Sequence, residues 1–492
     1  MRPSSSQSGR AAQYRRCLAE NPPMYAAVQG TPPAPHGDAV GQAGRYVLAP
    51  ALGGFVRWLV HAALQSGKTR LYFLARDGYF FYHAARIYCK KRGLPLDCRY
   101  LYCSRYALRV PLFHRDREGA LDFICRDGLY VSPSRLLLRA GLTGPEKAVL
   151  LDRLRLPFSS DQRIPSAMLP QIRRALAGCR EFWEAVSRRS REALPGLAGY
   201  LRQEGLLDEL PYAVVDSGWV GSMQKSLGDA LALLGRRRPL EGYYWGLYEL
   251  PAGVRRVDYH PYYFGPEGRI ARKAAFNNCL FEAVYTAPHG MTLGYRREGG
   301  AYRPVLAPQD EAGRAFTRRL EPVLLAYVRQ LAETPGGEPG AGGFARDRRT
   351  ISRLFRLLMA RPTRREAEAF GRLAFSDDVL APAAEGDPAA SHLQGGAGIL
   401  GADGPAGGEQ LAAPLSKAAL RAGHALPQLL AAAGLGGAGQ EQAEKSAWYE
   451  GSAVRAGGQT ARHLRQYRLA QYLRLLRQAR RNQTRRRKNP HG

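Results

Sequence analysis

Two stretches of this chain share one pattern, and together they constrain its fold more than any other feature. Residues 71–78 (LYFLARDG) and 212–222 (YAVVDSGWVGS) are each a short apolar run that ends in a carboxylate and a glycine. Each then leads at once into a helical periodicity. A parallel strand, a tight loop and a helix read this way in sequence. In open parallel sheets, ligands bind where strand C-termini meet helix N-termini, because backbone N–H groups and the helix dipole converge there. Two such cassettes in one chain therefore predict one composite site.

The segments around the cassettes extend the pattern. A helix is expected over 52–66, the first cassette follows, then a helix over 79–92 and a strand within 96–105; strand, helix, strand is the unit of a parallel sheet. The second cassette restarts the sheet, with a helix over 221–234 and a strand over 242–248. The expected fold is α/β, with a mostly parallel Rossmann-like sheet, a helical insertion and a helical C-terminal region. The blocks are a flexible arm (1–43), the first half of the α/β core (44–117), a helical insertion (118–207) and the second half of the core (208–300). A helical region (301–379), an Ala/Gly-rich low-complexity segment (380–445) and a basic helical tail (446–492) complete the chain.

Composition narrows the chemistry. The chain has 492 residues, 45% of them apolar, and a formal net charge of +30, which attracts phosphorylated metabolites, nucleic acid or acidic lipid headgroups. No apolar h-region opens the sequence, and no window reaches the roughly 18 uninterrupted apolar residues of a membrane span. Even residues 46–64 carry Arg57 and His61. The expected location is cytoplasmic, peripheral at the inner membrane face. The seven cysteines have neither C-x-x-C spacing nor histidines at zinc-ligand intervals, so reduced and mostly buried thiols are expected.

The loops carry the candidate chemistry. Asp77 would stand at the end of a strand, with Gly78 permitting close backbone approach to a ligand and Arg76 able to grip a phosphate in a two-pronged contact. The plain structural alternative is that Asp77 caps the next helix. In the second cassette, Gly218 and Gly221 suit an anion nest, while Ser217 and Ser222 add donors. The G-x-x-x-x-G-K-[ST] spacing of a P-loop is absent, although Lys225 follows nearby. Trp219 would either stack on a base or sugar or plug the sheet, and Gln224 faces the same ligand. Ser104 and Arg105 end a strand at the same sheet edge. Glu282 and His289 lie in an aromatic-rich stretch where a carboxylate and an imidazole can do acid–base work, though His289 beside a proline and a glycine also suits a plain turn.

Five segments carry a family resemblance: 46–59, 71–81 (LYFLARDGYFF), 101–108 (LYCSRYAL), 214–227 (VVDSGWVGSMQKSL) and 281–290 (FEAVYTAPHG). Together they resemble a family of bacterial proteins encoded near surface-polysaccharide genes and labelled as hydrolases of the haloacid dehalogenase (HAD) type. Looser matches are 361–363 with 375–378, and 448–452. The resemblance implies a phosphorylated sugar or nucleotide-sugar ligand, with Asp77 and Asp216 as catalytic and Mg²⁺-binding carboxylates. HAD catalysis also uses a second Asp two positions after the nucleophile, and this chain has Tyr79 there. A second outline is that of the phosphoribosyltransferases, in which Asp216 would face a ribose-like ring and Gly218, Gly221 and Ser222 its phosphate. This chain departs from that pattern with one acid where two are usual and Ser where Thr is usual. A third class is a non-catalytic sugar-nucleotide-binding scaffold.

The C-terminal 32 residues hold eleven Arg and Lys and no acid, with Leu464, Tyr467, Leu469, Tyr472, Leu473 and Leu476 at a rough helical period. Such a tail suits an anionic membrane surface, where each basic residue adds about 1 kcal/mol. Nucleic acid ranks behind it, since no nucleic-acid-binding signature accompanies the charge.

Overall fold

The computed structural model describes residues 5–35, 37–128, 131–154, 156–308, 311–334, 340–375, 409–410, 447–457 and 460–488. Its centre is a five-stranded parallel sheet of β1 (Arg70–Leu74), β2 (Asp97–Leu101), β3 (Tyr212–Trp219), β4 (Glu241–Leu247) and β5 (Tyr259–Phe264), in the order β2-β1-β3-β4-β5. Both cassettes are central neighbours. Leu74 of β1 pairs with Leu101 of β2, and Phe73 pairs with Val215 of β3.

The central strands β1, β3 and β4 are buried through most of their length because both faces of the sheet are covered. Leu71, Phe73, Val215, Tyr243 and Trp245 point into one core. The helices Ala49–Gln65, Gly78–Arg92, Glu311–Glu333 and Ala341–Phe355 contribute to the same core. Tyr72, Leu74, Leu101, Tyr212 and Val214 point into the other core, against the helices Arg180–Gln203 and Ser222–Leu233. The segment between β2 and β3 is helical, with a core of its own built on Leu136, Ile172, Phe182 and Val186.

Several expectations need correction. The supposed flexible arm holds the helices Ser5–Ala19 and Pro22–Gln29, with Tyr14 and Leu18 fully buried. Tyr14 donates its hydroxyl to Glu366, and Arg10 pairs with the same carboxylate at 3.0 Å. The Pro/Ser/Gly content suggested looseness, but tertiary burial of a few large side chains outweighs local propensity. The aromatic-rich stretch after 259 contains β5 and a hairpin of β6 (Thr292–Glu298) and β7 (Ala301–Leu306). Its aromatic residues disguised the strand alternation. The low-complexity segment, apart from 409–410, lies outside the described residues, as do 376–378 of the looser family match.

One helical stretch, Ala39–Gln65, is long and apolar enough to cross a membrane, yet 78% of its apolar window is buried inside the fold. Arg57 within it is neutralised by Asp347, which also accepts a hydrogen bond from Asn21 at 2.9 Å. Arg57 and Asp347 are both buried, so removing one partner strands a charge in the core. Asp347→Ala should lower unfolding stability by about 3–5 kcal/mol. The paired replacement Arg57→Met/Asp347→Leu should recover most of that loss, read by chemical denaturation.

Candidate functional site

The register of the sheet gathers the predicted residues. Asp77 lies three positions beyond Leu74 and Ser104 three beyond Leu101, while Leu74 and Leu101 are paired. Asp216 follows Val215, the partner of Phe73, so all three loops open at one C-terminal edge. Glu282 arrives from elsewhere, on the helix Asn278–Tyr285, whose N-cap Asn277 accepts from Leu280 N–H at 2.7 Å.

Ser217 ties the centre together. Its hydroxyl donates to Asp77, and its backbone N–H donates to Asp216 Oδ1 at 2.9 Å. Asp77 makes no capping bond to the helix Gly78–Arg92 that it precedes. The plain reading of Asp77 as a cap therefore fails, and its carboxylate is turned toward β3. One residue further on, the Trp219 indole N–H donates to Glu282. The C-terminal end of β3 thus holds two of the three acids directly and contains Asp216 itself.

Glycine makes this loop possible. Gly218 has φ +113°, and a Cβ there would stand 2.3 Å from the Gly246 carbonyl oxygen. Gly221 has φ +73° and faces the Tyr259 ring. A side chain at either position would collide with its neighbour, so both glycines are required by the close packing of β3 on β4 and β5. Trp219 itself has φ +71°, a conformation uncommon for an aromatic residue. Its ring packs on Phe276, Phe281 and Tyr248 at centroid distances of 5.4, 5.8 and 6.1 Å. It therefore plugs the sheet while its nitrogen orients an acid.

Electrostatics separate the carboxyl groups. Burial, and then the Asp77 charge, push Asp216 up to about 7. Burial and Asp77 likewise push Glu282 up to about 8, opposed by the Trp219 hydrogen bond and by Arg105 and Arg76. Asp77 is also raised by burial, while Ser217, Arg76 and Arg105 favour its charged form. Near neutral pH, Glu282 is mostly protonated and Asp216 is divided between its two forms. The guanidinium groups of Arg76 and Arg105 are partly exposed and form no salt bridge among the described residues. A cluster in which two cations face one mostly protonated and one partly protonated acid can accept an anion.

Other predicted residues are committed to the fold. Ser104 accepts from Ala107 N–H at 3.0 Å as the cap of the helix Arg105–Arg109, and donates to the Thr292 carbonyl at 2.6 Å. Gln224 is buried; its carbonyl accepts from Tyr244 and its amide donates to the carbonyls of Leu240 and Asp258. Gln224 fastens β4 and β5 and is not brought to the acids. Ser222 opens the helix Ser222–Leu233 and is partly exposed, whereas Gly78 is buried in the first turn behind Asp77. Tyr79 turns its hydroxyl to Glu321 at 3.3 Å, away from the acids.

Sequence reading named His289 but missed its partner, Tyr100. Tyr100 on β2 senses both Asp77 and Arg76, and its hydroxyl meets His289 Nε2 at 2.8 Å. His289 Nδ1–H donates to the Gly290 carbonyl at 2.8 Å, and burial lowers its affinity for a proton. The imidazole is neutral with both nitrogens engaged. Only the alternation of Tyr100 and Tyr102 hinted at this aromatic contact.

Among the described residues, no group of three or more His, Cys, Asp or Glu is placed to hold a metal ion. The fold and the acid cluster define an α/β protein with a Rossmann-like parallel sheet and carboxylates gathered at its C-terminal edge. In comparisons with known proteins the chain matches no family model and no curated protein.

The raised carboxyls bind protons more tightly folded than unfolded. Their contribution to stability is complete below the ordinary carboxylate range near about pH 4, and it is lost as pH rises through about 7 for Asp216 and about 8 for Glu282. Wild-type stability should therefore fall across this window. Asp216→Asn and Glu282→Gln should each flatten the slope in melts at stepped pH. Glu450, buried and pushed up to about 7 elsewhere, slopes the same way in every variant, so the difference from wild type reports the site.

Proposed function

We propose that the protein is a HAD-like α/β enzyme of hydrolase or phosphotransferase type. Its substrate would be a phosphorylated sugar or nucleotide-linked compound in cell-surface polysaccharide biosynthesis. The observation that carries this reading is Asp77. It is a carboxylate at the mouth of β1 that neither caps its helix nor forms a salt bridge among the described residues, and Ser217 holds it beside Asp216. Arg76 and Arg105 supply the charge to bind the phosphoryl oxygens. Asp77 attacks phosphorus, the bond to the leaving oxygen breaks, and water later releases phosphate from the aspartyl intermediate.

The leaving oxygen needs a proton that Tyr79 is not placed to give. Glu282, protonated near neutral pH and fixed by Trp219, is the group suited to give it. Mg²⁺ commonly binds through one or two carboxylates plus substrate phosphate, with no dedicated protein cage. Asp77 and Asp216, bridged by Ser217, with Asp216 raised by burial and then by the Asp77 charge, fit that donor set. The ion would neutralise charge on the phosphoryl group.

The test is a melting screen with sugar phosphates and nucleotide sugars, with and without Mg²⁺, joined to an assay of phosphate release. A bound ligand should raise the melting temperature. Asp77→Asn should keep much of that shift and lose turnover by a factor on the order of 10³ or more. Ligand binding without turnover in wild type would mark a non-catalytic sugar-nucleotide-binding scaffold instead. No shift and no turnover with any phosphate compound would remove the reading.

A further inference from the structure

The C-terminal helix Thr460–Lys488 uses one side to dock and exposes large apolar side chains on another. Leu464, Leu475 and Ala479 are buried on the docking side. On the same side, Asn482 donates to the Tyr248 and Pro266 carbonyls at 2.9 and 3.0 Å. These carbonyls stand immediately beyond the ends of β4 and β5. The helix therefore lies across the C-terminal edge of the sheet, the edge on which the carboxylates gather. Tyr248, which it touches, packs against Trp219.

The outward side has its own order. Leu469, Tyr472, Leu473 and Leu476 follow the i, i+3, i+4, i+7 spacing of a single stripe. Leu469 is 54% exposed and Tyr472 41%, in a fold that exposes few large apolar side chains. Arg474, Arg480, Arg481, Arg485 and Arg486 stand exposed around and beyond the stripe, and the helix carries no acidic residue.

We infer that this helix is an interfacial anchor that lays its Leu469–Leu476 stripe into the headgroup boundary of an anionic bilayer, with the flanking arginines on the lipid phosphates. Two features of the helix favour this occupant. A second copy of the same helix would oppose arginine with arginine, and a nucleic-acid backbone gives an apolar stripe nothing to bury. A basic face interleaved with Leu and Tyr matches the bilayer interface on both counts. Docking in this way brings the C-terminal edge of the sheet beside the membrane surface. The inference does not depend on the reaction proposed above.

The test is co-sedimentation of the full-length protein with vesicles of phosphatidylcholine alone, or of phosphatidylcholine and phosphatidylglycerol, at physiological salt. Two variants are compared with wild type: Leu469→Asp/Tyr472→Asp, and Arg480→Gln/Arg481→Gln/Arg485→Gln/Arg486→Gln. All six side chains are exposed, and melting curves check that both variants fold. Wild type should partition onto the anionic vesicles and not the neutral ones. The arginine variant should bind about 1,000-fold more weakly and the stripe variant at least roughly tenfold more weakly. Absence of partitioning overturns the proposal. So does a stripe variant that partitions like wild type, or a chain that ignores vesicles and binds single-stranded RNA.

Discussion

Burial of a parallel sheet on both faces is the constraint on which the rest of this molecule depends. Parallel strands need crossover helices, and the helices cover both faces. Phe73, Val215 and Trp245 serve one core while Tyr72, Val214 and Leu101 serve the other. Polar chemistry is then confined to the ends of the strands. At the C-terminal end the pairing of β1 with β2 and β3 sets three loops at one level. The site is a consequence of register as much as of residue type.

The C-terminal end of β3 is where that constraint turns into chemistry. Its positive-φ residues let β3 lie close on β4, and the same turn aims Ser217 at Asp77 and Trp219 at Glu282. A serine bridging two carboxylates keeps them near each other despite their repulsion, and burial settles the difference by shifting Asp216 toward its protonated form. Two guanidinium groups without salt bridges among the described residues then leave the cluster receptive to an anion. Site geometry and proton affinities here share one origin, the packing of an aromatic loop against a buried sheet.

The periphery follows a different logic. At the N-terminal end, Tyr14 and Arg10 both meet Glu366, which joins two segments more than three hundred residues apart. The C-terminal helix docks through Asn482 and a few apolar side chains, and keeps most of its charge in solvent. One end of the chain is consumed by the fold, and the other is held against it with a face to spare.

By itself the sequence determined the α/β class and the two central strands. Apolar runs ending in Asp and Gly leave few other structures open, and strand–loop–helix order is a local property. It also marked Asp77, Asp216 and Glu282, because carboxylates beside apolar runs stand out. Only the tertiary structure decided which groups they face. Asp77 and Gln224 look equally suited to a ligand in sequence, yet one faces Ser217 in the acid cluster and the other fastens two strands. Gly218 and Gly221 read as a phosphate nest, and the packing that also demands glycine there, against Gly246 and Tyr259, is invisible in sequence. The pairing of Trp219 with Glu282, 63 residues apart, and the Tyr100–His289 contact have no local signature. Hydrogen bonds between distant segments and the desolvation that shifts a proton's affinity exist only once the chain has closed on itself.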